Sequence, residues 1–409
     1  MNNSNRISGL LAISLIVSGA CGVLAQDWPQ WRGPNRDGKA VGFTAPQAWP
    51  KELKKQWSTA IGDGNSTPAL VDGKLYTFAH AEGEEVVLCL DAATGKEVWR
   101  DHYTMQAADG APARDHAGPR SSPAVSGGKV VTFGVRGTLS CYDAASGKML
   151  WRKETAAWPQ FFTACSPLVA DGMCVMNVGG PGKGSVVAFD LATGNEKWRW
   201  TGDGPSYGST QWATILDTRF VVALTDSRLV GLKPTDGTLA WETPFVGAGN
   251  NFNRITPLID GQTIFLSGPG KGIQAVKVEK DGDKFVVKDL WTNLDNSVQW
   301  SNPVLKNGLV FGFSMGGKYF CVNAATGKTA WVGPVVAGTS GFDSVVDAGA
   351  VVFGLAMTGQ LTAFQPSDKA YEEIASYKVA ENSAFSYPVI SGKRIYIKDR
   401  TSVSLWTIE

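Results

Sequence analysis

The string Asp190-Leu-Ala-Thr-Gly194, closed by Trp198 four positions on, most limits what this chain folds into, because it recurs along the sequence. Related segments end in CLDAATGKEVW at Trp99, CYDAASGKMLW at Trp151, GLKPTDGTLAW at Trp241 and CVNAATGKTAW at Trp331. Weaker copies end near Trp291 and at Tyr377, and Trp57 precedes the first copy, so the aromatic markers stand 40 to 52 residues apart. Most copies open on a residue pair before Pro, as in Ser66-Thr67-Pro68 and Ser121-Ser122-Pro123, and continue through short apolar runs broken by Gly and Asp turns. A period of this length filled by short strands is that of the four-stranded blades of a β-propeller.

The closing segment has a physical logic. The Asp side chain caps the turn, the Gly takes the positive φ of the bend, and the Trp then falls on the outermost strand, where its apolar face packs on the neighbouring blade. Two places before the Asp, or its counterpart in the divergent copies, stand small residues, Cys89, Cys141, Ala188, Gly231 and Cys321, as tight packing there requires. Trp57, Trp99, Trp151, Trp198, Trp241, Trp291 and Trp331 are therefore read as structural docking residues, with Tyr377 as the eighth marker. The final copy, from Ser386, reaches Glu409 without an outer strand, whereas Lys55–Ile61 has no blade of its own. Pairing the two closes the ring and removes the open edge. The expectation is an all-β fold: one eight-bladed β-propeller of four-stranded antiparallel blades over residues 26–409, with seven blades as the alternative because the seventh copy lacks its Trp.

Residues 1–25 carry a single charge, Arg6, ahead of the apolar run at 9–17, and read as a secretory signal peptide, which predicts a periplasmic or extracellular protein. Lipid attachment at Cys21 is the alternative, although Ser18-Gly19-Ala20 lacks the branched aliphatic residue such signals carry three places before the Cys. No later stretch approaches about 18 consecutive apolar residues, so no transmembrane segment is expected in the mature chain. The whole chain has 38 basic and 37 acidic residues, and loss of Arg6 balances them, which argues against nucleic acid as a partner. The cysteines outside the leader, Cys89, Cys141, Cys165, Cys174 and Cys321, contain no CxxC and are expected as buried free thiols.

The eleven residues from Ala188 to Trp198 resemble the tryptophan-docking motif of the pyrroloquinoline-quinone (PQQ) repeat propellers, and Asp27-Trp-Pro-Gln-Trp-Arg-Gly-Pro34 is similar to the opening of their exported bacterial members. That resemblance implies either quinoprotein dehydrogenases, which use PQQ with calcium, or BamB-like envelope proteins, which keep the propeller and dock on assembly partners. The chain lacks the adjacent cysteine pair of the dehydrogenases, and its length fits the BamB-like branch. No cofactor, no catalytic residue and no metal site is assigned, with PQQ and calcium kept as the alternative.

Loops that lead from one blade's outer strand to the next blade's inner strand gather on one face, where binding groups are expected. They hold Arg114, His116 and Arg120, then Trp158, then Tyr207 and Trp212, then Asn251 and Arg254, then Gln299, Trp300 and Asn302, then Asp343, and last Tyr387. Phe161, Phe162, Phe342 and Phe385 lie among them. Aromatic rings beside amides and Arg suit stacking on a flat ring or sugar, or anchoring a peptide. The segment Asp101–Arg120 is the longest of these loops, and acid–base chemistry at Asp343 or His116 is the enzymatic alternative to binding a protein or an envelope polymer.

Overall fold

A computed structural model describes residues 26–110, 113, 116–246, 253–339 and 341–409; the leader with Cys21, and also Arg114, Asp115 and Asn251, lie outside the described residues. The strands form eight separate four-stranded antiparallel sheets, each one blade of a ring. The first blade runs from the inside outwards as β2 (Ala69–Val71), β3 (Lys74–Ala81), β4 (Glu84–Asp91) and β5 (Glu97–Thr104). The last is β30 (Val389–Ser391), β31 (Arg394–Lys398) and β32 (Ser402–Thr407), completed by β1 (Lys54–Ala60). Trp57 pairs with Leu405 across that junction, so the ring closes with eight blades. The loop expected from Asp101 begins later, because Asp101 to Thr104 continue β5 opposite Glu84–Val87.

Radial position sets the burial pattern. The middle strands β3 and β4 are buried on both faces and read as nearly continuous apolar runs, whereas outer β5 alternates and buries Trp99 alone. Cross-strand register places Cys89, Cys141, Ala188, Gly231 and Cys321 directly opposite the docking tryptophans of their own blades. A β-bulge follows each pair and re-aims the Trp toward the next blade. The indole N–H groups of five docking tryptophans donate to carbonyls near the neighbouring blade's turn, Trp99 to Ala144, Trp151 to Leu191, Trp198 to Pro234, Trp291 to Ala324 and Trp331 to Ser367, all at 2.7–3.0 Å, whereas that of Trp241 has no partner among the described residues. The turn Gly is packed under the ring; a Cβ on Gly194, at φ 71°, would meet Trp151 at 2.7 Å. Asp91, Asp143 and Asp190 accept from the Thr or Ser three residues on, which holds their carboxyls below the ordinary range. The five cysteines among the described residues are buried and free.

Residues just ahead of the inner strands, in every blade but the seventh and all before a Pro except Ser209, form a belt around the channel. Thr67 N–H donates to Ser122 Oγ, Ser122 to Ser166, Ser166 to Ser209, Ser209 to Thr256 and Thr256 to Asn302 Oδ1. Asn302 N–H donates past the seventh blade to Tyr387 OH, and Tyr387 N–H returns to Thr67 Oγ1, closing the belt at 2.7–3.0 Å throughout.

Below the belt, the segment before β1 plugs the channel. Trp28 bridges antiparallel to Leu70, Pro29 O accepts from Val125 N, and Ala40 and Gly38 exchange hydrogen bonds with Asp347. Arg32 donates to the carbonyls of Asn302 and Pro303, and Arg36 to those of Ser166 and Pro167, on inner strands well separated around the ring. Trp28 is 0%, Arg32 2% and Arg36 1% exposed. These guanidinium groups face carbonyl oxygens at the point where inner strands begin, satisfying acceptors that no ladder partner reaches.

Candidate functional site

Above the belt and plug lies a cavity of about 280 Å³. Every interblade loop supplies part of its wall. Asn65 and Thr67 come from the loop entering the first blade, His116 and Arg120 from the next, then Phe161, Tyr207, Arg254, Trp300, Phe342 and Phe385 in ring order, with Tyr387 beside the belt and Trp31 rising from the plug.

The rings hold one another. Trp300 and Phe342 stack with centroids 5.2 Å apart and planes 8° from parallel. Phe342 meets Phe385 edge-on, and both touch His116. Phe161, Tyr207 and Trp300 follow as T-shaped pairs, and Trp31 meets Tyr387 at 5.7 Å. These arrangements suit the aromatic quadrupole and fix each ring at low entropic cost. Tyr207 OH accepts from Phe161 N–H, and burial pushes its phenol up to about 12. The Asn65 amide meets Nδ1 of His116.

The loop walls are stiffened from outside. Arg136 donates to Gln106 O and Ala107 O while its guanidinium lies 5.5 Å from the Trp158 ring and 5.3 Å from Phe162. Asp63 is held by a two-pronged pair with Arg400, and buried Lys398 donates to the carbonyl of Gly64, with burial lowering its pKa to about 8.

The charge inside is one-sided. Arg254 lies with its guanidinium carbon 4.3 Å from the Trp300 ring centroid, and Arg120 is near Phe162 at 5.5 Å. Burial lowers both pKa values, that of Arg120 to about 10. Arg120 Nη1 and Arg254 Nε and Nη1 are buried without a hydrogen-bond partner, and no Asp or Glu lines the cavity, among the described residues.

Of the residues expected from sequence, the cavity brings together His116, Arg120, Tyr207, Arg254, Trp300, Asn302 and Tyr387. It does not take in Trp158, which packs outside with the small cluster of Ala108, Ala113, Val135 and Phe162, nor Gln299. Trp212 belongs to the inner strand β14 (Gln211–Ile215), where Arg219 covers its ring at 4.1 Å. Asp343 is fully buried; its Oδ1 accepts from Met357 N–H, and burial raises its pKa to about 7. Arg114 and Asn251 lie outside the described residues. Trp31, Asn65 and belt hydroxyls line the cavity in addition to the residues expected from sequence. The pre-Pro pair carried the signal for the belt, and the Trp-rich opening at Asp27 that for Trp31.

Residues 83–333, more than half of the chain, match the family described as outer membrane protein assembly factor BamB. The outer membrane protein assembly factor BamB of Shewanella oneidensis is 26% identical over 226 residues, 51% of this chain and 54% of that protein. The quinohemoprotein alcohol dehydrogenase ADH-IIG of Pseudomonas putida is 32% identical over 146 residues, 33% of this chain and 19% of that protein. The chain thus spans about half the length of the first relative and about a fifth of the second. Among solved structures, BamB from Moraxella catarrhalis superposes with TM-score 0.65 at 15% identity, over 87% of this chain and 99% of that one. The quinohemoprotein alcohol dehydrogenase from Comamonas testosteroni gives 0.69 at 17%, over 93% and 80%. These structural likenesses establish the propeller fold.

Proposed function

Because the chain belongs to the outer membrane protein assembly factor BamB family, we propose that it is an exported, non-catalytic propeller that binds a protein or envelope-polymer partner through its loop face. One observation carries this reading: all eight interblade loops converge on a single aromatic cavity made blind by the N-terminal plug. A blind, ring-walled cavity on a rigid scaffold is a recognition surface, since anchors that are already ordered lose little entropy on binding. Residues 1–25 supply the export signal in this reading. The mass of the exported form distinguishes a cleaved leader from lipid attachment at Cys21.

The acid–base alternative finds little support, because the Asp343 carboxylate is fully buried, accepts from Met357 N–H and is not part of the cavity lining. A calcium-bridged quinone does not fit the described lining either: calcium takes oxygen ligands with carboxylates among them, and the lining offers none.

The test is position-resolved photo-crosslinking in intact cells. A photoreactive residue at Phe161 or Phe385 is expected to trap a discrete partner, whereas the same residue at Leu290, 47% exposed on the outer rim, is not. Adducts from the rim alone would overturn the reading.

A further inference from the structure

We propose that the cavity is built for a small flat ring system bearing a carboxylate, an aromatic acid, held between Arg120 and Arg254. The inference rests on the loop-face binding reading and names its ligand chemistry. Two independent observations support it. The first is charge: among the described residues, buried guanidinium nitrogens of both arginines have no partner and no acid lines the cavity. Enclosed guanidinium nitrogens left in that condition are costly, so the site is completed by an anion that accepts from them. Asp63, which acts on Arg120 through space, is already committed to Arg400 and does not fill this role.

The second observation is shape. Both arginines act electrostatically on the Tyr207 phenol, so an anion near Tyr207 is within the influence of both. Around that point stand Trp300, with Phe342 stacked behind it, and Phe161. Offset or edge-on packing against these walls selects a planar group. About 280 Å³ is at the small end of ligand cavities, enough for one or two fused rings and too small for an extended chain. The same chemistry arises from a free aromatic acid or from a polypeptide whose last residue is aromatic, where ring and carboxylate belong to one residue.

The experiment is calorimetric titration of the purified full chain with naphthalene-2-carboxylate and its neutral carboxamide, and with a short peptide ending in Phe as free acid and as amide. Fluorescence of the wall tryptophans serves as a second readout. The acid form is expected to bind at least about tenfold more tightly than its amide, since charge-assisted hydrogen bonds are lost with the carboxylate. Arg120→Met and Arg254→Met are each expected to abolish that preference, and Arg254→Lys to keep part of it. A preference confined to the naphthalene pair points to a free acid, and one confined to the peptide pair to a chain terminus; either supports the proposal. Equal affinity for acid and amide in both pairs, or no binding of any probe, overturns it. Crosslinking from Phe161 is unaffected by that failure, so loss of the ligand assignment is separable from loss of the partner-binding reading.

Discussion

Single residues decide how the blades lock. Gly194 takes φ 71° and lies against Trp151, whereas Gly73 takes φ 70° with open space where its Cβ would stand. Gly73→Ala should therefore cost about 1–2 kcal/mol from backbone strain alone. Gly194→Ala should add about 1–3 kcal/mol of overpacking, as read from denaturant midpoints of the two variants. Equal losses would remove the docking explanation. Asp343 supplies a second residue-scale prediction. Its folded pKa of about 7 exceeds the value of about 3.9 expected unfolded, so the folded state binds the extra proton between those limits. Its contribution is present at acid pH and lost as pH rises through about 7, a difference of a few kcal/mol at most. Asp343→Asn keeps an acceptor for Met357 and should become more stable than the parent as pH is raised from 4 to 8, measured by urea melts. A constant difference across that range would contradict it.

At the scale of elements, the belt ties the inner ends of the blades together, beside isolated links such as the Lys306–Asp347 ion pair. Thr67→Val preserves shape but leaves Tyr387 N–H without its acceptor, at a cost of about 1–3 kcal/mol, and should speed exchange of that amide. A variant as stable as the parent would show that the belt is incidental. This scale also shows what was legible beforehand. The Asp-turn-Gly-Trp spacing identified the outer strands, the bulge-side small residues and the closure by β1, because local turn chemistry and period carry that information. The cavity was only half legible: Tyr207, Arg254 and Trp300 were found by their position in loops. Trp158 and Trp212 occupy similar chain positions, yet pack outside the loop face and on an inner strand. Which way a loop aromatic turns depends on its cationic partner, Arg136 on the preceding blade for Trp158 and Arg219 across the hairpin for Trp212, and the Trp spacing does not encode it. The plug escaped for the same reason, since Arg32 and Arg36 find their carbonyl partners more than a hundred residues away.

For the whole molecule, one segment links fold to function. Residues 26–60 plug the channel, run beneath the seventh blade through Phe43 and Trp49 against Phe353, and finish the eighth as β1. The same segment thus closes the ring and makes the cavity blind, so the loop-face site depends on it. Hydrogen exchange tests this directly, by following the amides of Gly38, Ala40 and Lys54–Ala60 beside those of the middle strands β3 and β4. Plug, outer strand and middle strands are expected to be protected together and released in one global opening. Exchange of the 26–60 amides at unprotected rates, with β3 and β4 still protected, would contradict it.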